Sequence, residues 1–313
     1  MSTPKLAIVI PCYNEEDIFI HCLSNVKELL IELIDSQEVA PSSYILFVDD
    51  GSTDQTWDLI SKSSRGDSLI KGIKLASNVG HQKALFAGLS HVNSDVSVTL
   101  DADLQDDIHV ISKMLSNVKM GHDVVFGVRN SRESDSFFKK TSAQIFYKLL
   151  SFLRIHHVEN HADFRMMTSK VTKALLEHRE SNLYLRGLVR QIGFSSSIVE
   201  YARSERSYGT SKYPLKRMIS LALDAITSHS IVPLRVITFL GLGISCVSFL
   251  AGINAIYVKL TGDAIDGWAS LITSIYFIGG VQLMSLGVIG EYVGRTYVES
   301  KKRPGFFIDK ETD

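Results

Sequence analysis

Val96–Asp107 reads VSVTLDADLQDD, and the fold turns on the break inside it. Val96, Val98 and Leu100 form a short apolar, β-branched run, which gives way at once to Asp101 and Asp103, with Gln105 two residues further on. A buried strand that ends in acids is costly unless something cationic meets them. With Leu100 closing a central strand, Asp101 and Asp103 sit at its carboxyl end, where open α/β sheets place their ligands. Carboxylate and amide oxygens are hard donors, suited to Mg²⁺ or Mn²⁺, ions that keep several waters and bridge to substrate phosphates. An Asp at a strand–helix junction also serves as a helix cap, so the neighbouring strands decide between the two readings.

Upstream, Leu6–Ile10 is a compact β-type run stopped by Pro11. Asn14 is placed to cap the helix that follows, and Glu15, Glu16 and Asp17 load its first turn. Ile18, Cys22, Val26, Leu29, Leu30 and Leu33 then recur at helical spacing. Tyr44–Val48 reads as a second buried strand, ending in Asp49-Asp50-Gly51-Ser52, and Ser52 with Gln55 has capping-box spacing for a helix through Trp57 and Ile60. Ile70–Leu75 is a weaker third strand, leading into Asn78-Val79-Gly80 and a helix containing Ala84, Leu85, Ala87 and Gly88. Gly80 lets the backbone approach a ligand, and a helix N-terminus there suits a phosphate. Val124–Val128 is a fifth strand, ending at Arg129. Strands alternating with helices predict an α/β fold, a mostly parallel sheet covered on both faces. Its carboxyl edge would gather Glu15, Asp49, Asp50, Asp101 and Asp103 into one crevice, with Arg129 as counter-charge.

The 313 residues allow one large or two ordinary domains, and a net charge of −1 gives no support for nucleic-acid binding. Cys12, Cys22 and Cys246 form no CxxC pair, which favours a reduced compartment. The start, MSTPKLAIVIP, carries too short an apolar run for a cleaved signal peptide. Val236–Val258 and Trp268–Ile289 each run for roughly 22 residues without a charged side chain, enough to cross a bilayer. Basic residues flank the pair (Lys212, Lys216, Arg217 and Arg235 before it; Arg295, Lys301, Lys302 and Arg303 after it), so the positive-inside rule places both ends in the cytoplasm.

Between Arg129 and the spans the pattern loosens. Ser131–Lys140 reads as a polar loop and Thr141–Leu153 as an amphipathic segment. Asn160–Arg165 sets Asp163 and Arg165 in a short apolar frame, a spacing that a surface ion pair would explain. Arg203, Arg206, Gly209, Ser211 and Lys212 form a basic run ahead of the first span, readable as a solvated face, as the positive-inside signal or as a phosphate clamp. Leu215–Ile226 puts Leu215, Met218, Ile219, Ala222 and Ile226 on one face and suits the membrane interface.

The motifs P-C-Y-N-E-E (Pro11–Glu16), V-D-D-G-S-T-D (Val48–Asp54), N-V-G (Asn78–Gly80) and D-A-D-L-Q (Asp101–Gln105), in that order, resemble glycosyltransferase family 2 with its GT-A fold. The tail, with G-E-Y-V-G-R-T-Y at Gly290–Tyr297 and K-K-R-P at Lys301–Pro304, resembles the bactoprenol (undecaprenyl-phosphate) glucosyltransferases of O-antigen glucosylation, cousins of dolichyl-phosphate mannose synthases. The resemblance implies a GT-A domain over 1–213, a juxtamembrane helix over 214–230, two membrane helices within 231–295 and a cytoplasmic tail over 296–313. It implies that Pro11, Tyr13, Glu15, Asp49, Asp50, Asn78, Gly80, Asp101 and Arg129 hold a UDP-sugar. Asp101, Asp103 and Gln105 would engage Mg²⁺ or Mn²⁺ and the diphosphate. Asp103, Asp163, Arg206 and Lys212 are the implied catalytic set, and Arg203, Arg206, Ser211 and Lys212 the implied seat of a polyprenyl phosphate.

The implied setting is a bacterial inner membrane, with a homo-oligomer (a tetramer by resemblance) and functional links to a flippase and a periplasmic glycosyltransferase. Another sugar, such as GlcNAc, galactose or GDP-borne mannose, and a non-catalytic scaffold for a flippase are the alternatives. His81-Gln82-Lys83 matches no fixed pattern of the family. The chain also lacks the Q-x-x-R-W of processive synthases.

Overall fold

The computed structural model describes residues 3–129, 161–178, 185–202, 232–261 and 267–312. It divides into two compact units, one of Met1–Ser151, His156–Tyr213 and Arg303–Asp313, the other of Phe152–Ile155 and Pro214–Lys302. In the first unit the elements run β1 (Leu6–Cys12), α1 (Glu16–Asp35), β2 (Tyr44–Asp49), α2 (Thr56–Ser64), β3 (Ile70–Leu75), α3 (His81–His91), β4 (Val96–Thr99), α4 (Val110–Lys119) and β5 (Val124–Arg129). They continue through β6 (His161–Thr168), α5 (Ser169–Leu176), α6 (Leu185–Gln191) and β7 (Ser196–Tyr201).

These strands, with β8 (Ile308–Glu311), form one sheet in the order β7-β5-β6-β4-β1-β2-β3-β8. The sheet is mixed. β1, β2, β3, β4, β5 and β7 share a direction, while β6 runs antiparallel between β4 and β5. β6 lies between β4 and β5, which brings its amino end to the edge where β4 ends.

Alternation along the central strands fills two cores. Leu6, Ile8, Ile10 and Cys12 of β1 enter one, Ala7 and Val9 the other. The first core is closed by α1, α2 and α4 through Phe19, Val26, Leu30, Trp57, Ile60 and Met114. The second is closed by α3, α5 and α6 through Leu85, Val171, Leu175 and Leu188. A sheet buried on both faces explains why β1 and β2 read as near-continuous apolar runs. Each large side chain enclosed contributes about 1.5–3 kcal/mol.

The helix starts differ from the local caps expected. Neither α1 nor α2 has a side-chain cap bond from its own N-cap residue, Glu15 or Gln55. Because β1 and β2 are neighbours, the loops that follow them lie side by side and cap each other. Asp54 Oδ2 accepts the Glu16 N–H at 3.2 Å, and Glu16 Oε2 accepts the Gln55 N–H at 2.9 Å. Asn14 reaches across as well: its Oδ1 accepts the Thr53 N–H at 2.9 Å, and its own N–H donates to Ser52 Oγ at 3.0 Å.

Of the segment expected as a cytoplasmic tail over 296–313, Arg303–Asp313 belongs to the first unit. Its strand β8 (Ile308–Glu311) pairs antiparallel with β3, and the Ala76 N–H donates to the Phe307 carbonyl at 2.9 Å.

In the second unit, α7 (Val232–Thr261) and α8 (Trp268–Ser300) fall where the two charge-free runs were read. Among the described residues one segment, Phe277–Ser300, is long and apolar enough to cross a membrane, with a mean hydropathy of 1.3. Phe239, Leu242, Phe249, Phe277, Leu283 and Leu286 are exposed along these helices. The amphipathic segments expected at Thr141–Leu153 and Leu215–Ile226 lie outside the described residues.

Candidate active site

The carboxyl ends of β1, β2, β3, β4, β5 and β7 and the amino end of β6 meet at one edge. Register sets the centre of the site: Thr99 lies opposite Arg165, so Asp163 continues past the end of β4 beside Asp101. The Thr99 hydroxyl donates to the Asp163 carbonyl oxygen and holds the two strand ends together.

The ion pair expected at the surface is buried. Asp163 and Arg165 are 3% and 1% exposed, with Arg165 Nη2 2.5 Å from Asp163 Oδ1. Two residues apart on a strand, they share a face. Arg165 Nη1 also donates to the Leu185 carbonyl at 3.1 Å, at the start of α6. Two side chains to which the sequence reading gave no role complete the surroundings of Asp163, both from the first turn of α3. Gln82 Nε2 donates to Asp163 Oδ2 at 3.0 Å, and His81 Nε2 lies 3.2 Å from the same oxygen and 3.5 Å from Asp101 Oδ1.

Asp101 Oδ1 is buried without a hydrogen-bond partner. Burial pushes its carboxyl pKa up to about 6; His81 opposes the rise, and Asp163, Asp106 and Asp103 add to it. A buried carboxylate oxygen that has acids around it, and only the His81 ring at 3.5 Å to offset them among the described residues, calls for a cation. Asp103 follows on the exposed side and Gln105 on the buried side. Between them Leu104 has φ of +46°, a left-handed conformation that branched side chains seldom take. Its cost of about 1–3 kcal/mol is the kind that collects at functional loops. No three His, Cys, Asp or Glu side chains among the described residues are already gathered around one point. Mg²⁺ and Mn²⁺ bind through one or two carboxylates and complete their shell with water and phosphate, so a pre-gathered cluster is not required. Asp101, Asp103 and Gln105 therefore fit such an ion.

The acids after β2 do different work. Asp49, fully buried, accepts the Ser52 N–H at 3.2 Å and lies 3.8 Å from Lys74 Nζ; burial raises its pKa. Asp50 accepts the Val79 and Gly80 N–H groups at 2.8 and 2.9 Å. The seat at the start of α3 expected for a phosphate thus holds the chain's own carboxylate at those two N–H groups. Gly51 (φ +67°) packs so tightly on this loop that a Cβ would stand 2.6 Å from the Ser77 carbonyl carbon. Gly80, with φ 91° and ψ 154°, takes a conformation open only to glycine.

Pro11, Tyr13 and Glu15 lie on the β1 end and the loop after it, Pro11 buried and Tyr13 44% exposed. Asn78 is exposed on the loop between β3 and α3. Arg129, read as the counter-charge of the crevice, is committed to Asp106: Nε and Nη2 donate to its Oδ1 at 2.9 and 2.7 Å, and the Tyr201 hydroxyl donates to the same oxygen at 2.6 Å. Among the described residues, Arg165 pairs with Asp163 and Lys74 lies nearest Asp49 as counter-charges at the site. Arg203, Arg206, Ser211 and Lys212 lie outside the described residues.

The model of the family described as Glycosyl transferase family 2 matches residues 7–193, from β1 past the end of α6. The chain belongs to glycosyltransferase family 2. It is a transferase, and its Rossmann-like mixed sheet is the GT-A fold of that family. A relative described as the uncharacterized glycosyltransferase YkoT, from Bacillus subtilis (strain 168), is 49% identical over 98% of this chain and 92% of its own. The bactoprenol glucosyl transferase of Shigella phage SfV is 38% identical, over 98% of this chain and 99% of its own. Among solved structures, glucosyl-3-phosphoglycerate synthase from Mycobacterium tuberculosis aligns over 72% of this chain and 76% of that one, at 16% identity and a TM-score of 0.48.

Proposed function

We propose that this glycosyltransferase moves a hexose, glucose in the first instance, from a UDP-sugar to undecaprenyl (polyprenyl) phosphate at the cytoplasmic face of a bacterial inner membrane. The observation that carries the reading is the end-to-end similarity to the bactoprenol glucosyl transferase of phage SfV, which takes in α7 and α8 along with the sheet. A membrane site fits the acceptor, since withdrawing a prenyl chain from a bilayer costs about 0.8 kcal/mol per CH₂. A 30-residue helix such as α7 rises about 45 Å, ample for a ~30 Å hydrocarbon core. β8 lies after both helices yet pairs with β3 ahead of them, so membrane crossings in between come in an even number.

Pro11, Tyr13, Glu15 and Asp49 would line the nucleoside, with Asp50 acting through the Asn78–Gly80 loop that it holds. Bound by Asp101, Asp103 and Gln105, Mg²⁺ or Mn²⁺ would neutralise charge growing on the departing diphosphate. The nucleophile is a phosphate oxygen, already ionised at neutral pH because the second pKa of a monoester lies near 6. No general base is required. Asp163 agrees with that, because Arg165 and Gln82 donate to its two oxygens and hold it in place as an orienting group. Its charge would orient the sugar and stabilise an oxocarbenium-like state. Direct displacement inverts the anomeric carbon and gives a β-linked lipid phosphate. Arg203, Arg206, Ser211 and Lys212 are proposed to receive the acceptor phosphate.

The test uses the full chain in liposomes holding undecaprenyl phosphate, with a panel of radiolabelled UDP-sugars and Mg²⁺ or Mn²⁺. Label from UDP-glucose is expected in the organic-solvent phase, with the anomeric coupling of a β-glucoside. Equal turnover in excess chelator, or after Asp101 and Asp103 both become alanine, overturns the mechanism.

A further inference from the structure

Gln82 bridges two groups of opposite hydrogen-bonding character. Its Nε2 donates to Asp163 Oδ2 at 3.0 Å, and its Oε1 accepts the Leu185 N–H at 3.2 Å. A carboxylate only accepts and a backbone N–H only donates, so the partners dictate which way the amide faces. Arg165 closes the ring from the other side, with Nη2 on Asp163 Oδ1 and Nη1 on the Leu185 carbonyl. Asp163, Arg165 and Leu185 are each at most 3% exposed. The same turn of α3 is held from behind by Asp50, on the Val79 and Gly80 N–H groups. One short helix start therefore connects the loop placed at the donor to the carboxylate placed at the sugar.

We propose that Gln82 is a positioning residue for the transfer step: it aims Asp163 at the reacting sugar and links that aim to the seating of the Asn78–Gly80 loop. This rests on the reading of Asp163 as the group beside the sugar. Gln82 also makes a demand that size alone would not. Glutamate, nearly identical in shape, keeps an acceptor for Leu185 but turns a carboxylate toward Asp163. Methionine, of similar length, gives up both bonds.

The test measures kcat and KM for the UDP-sugar in Gln82→Glu and Gln82→Met of the full chain in liposomes, with thermal stability in parallel. A misplaced carboxylate costs up to about 100-fold. A fall in kcat of about tenfold is expected for Gln82→Met and a larger one for Gln82→Glu, with KM within about twofold of wild type. A space-filling role gives the reverse order, with the isosteric Gln82→Glu close to wild type, and overturns the proposal. So do kcat losses that only follow losses of thermal stability. Hydrogen exchange at the Leu185 amide reads the bridge without turnover: it should quicken in Gln82→Met and stay slow in Gln82→Glu, and an unchanged rate in Gln82→Met refutes the bridge. Absence of transfer by the wild-type chain would sink the proposed function, and with it the catalytic role of Gln82, while the Leu185 rate still decides whether the bridge exists.

Discussion

Arg165 stands two residues from Asp163 on β6, its Nη2 2.5 Å from Oδ1, with the two side chains 2% and 3% exposed. A buried ion pair is worth little against an apolar replacement of both partners, but losing one partner strands the other. Arg165→Met is expected to destabilise the chain by about 3–5 kcal/mol, and Asp163→Asn combined with Arg165→Met to recover part of that loss. Thermal melts of the single and double variants in detergent check this. A single variant as stable as wild type would contradict the pair as drawn.

Asp103 and Asp163 should separate in activity. Asp103 belongs to the set that fits the cation, whereas Asp163 is held by donors and needs to accept no proton. Asp163→Asn is expected to lose about 10–100-fold in kcat and to retain measurable transfer. Asp103→Asn should fall below detection. Equal abolition by both, with UDP-sugar binding intact, reverses the ranking.

Asp101 makes stability depend on pH. Its folded pKa of about 6 lies above the ordinary value of 3.8, so the folded state holds the proton more tightly than the unfolded chain. The sign follows: the acid costs nothing below the ordinary value, and the chain loses stability as pH rises through the window up to about 6. Asp101→Asn removes the charge. The variant should melt higher than wild type at pH 8 in chelator, and the gain should vanish below about pH 4. Adding Mn²⁺ at pH 8 should raise the melting temperature of wild type and leave Asp101→Asn unmoved.

Gly51 permits the loop after β2 to lie against the loop after β3. Alanine there meets both a φ of +67° and the Ser77 backbone at 2.6 Å. The left-handed conformation alone costs a residue with Cβ about 1–2 kcal/mol. Gly51→Ala should therefore lower the melting temperature and raise KM for the UDP-sugar. Gly66, with φ of +83° and open space around its Cβ position, is the control for backbone strain without the clash. Gly66→Ala should lower stability less and leave KM unchanged.

What the sequence displayed, and what it hid, follows from where the neutralising partners lie. Leu6–Ile10, Tyr44–Val48 and Val96–Leu100 were legible as strands because both their faces are buried, so the acids at their ends stood out. The caps were not: Asn14 and Ser52 look like local caps, yet their partners come from the neighbouring loop, and adjacency of β1 and β2 is a tertiary fact. β6 was hidden because HADFRMMT carries an acid and a base that cancel inside the protein, which spoils the apolar signature of a buried strand. His81 and Gln82 belong to no motif; their position on the first turn after N-V-G was the available signal. β8, IDKE, is an edge strand largely open to solvent and has no periodicity to display.

That last strand has a consequence for how the chain matures. The Gly72 N–H donates to Thr312 Oγ1 at 2.8 Å across 240 positions of sequence. At roughly 5–20 residues per second, a ribosome leaves the outer margin of β3 open for about 10–50 s after making it. Both long helices are synthesised before β8 exists. The enzyme's sheet is thus sealed on this side only once Ile308–Glu311 has been made, and a polypeptide released before that point keeps a raw margin available to other strands.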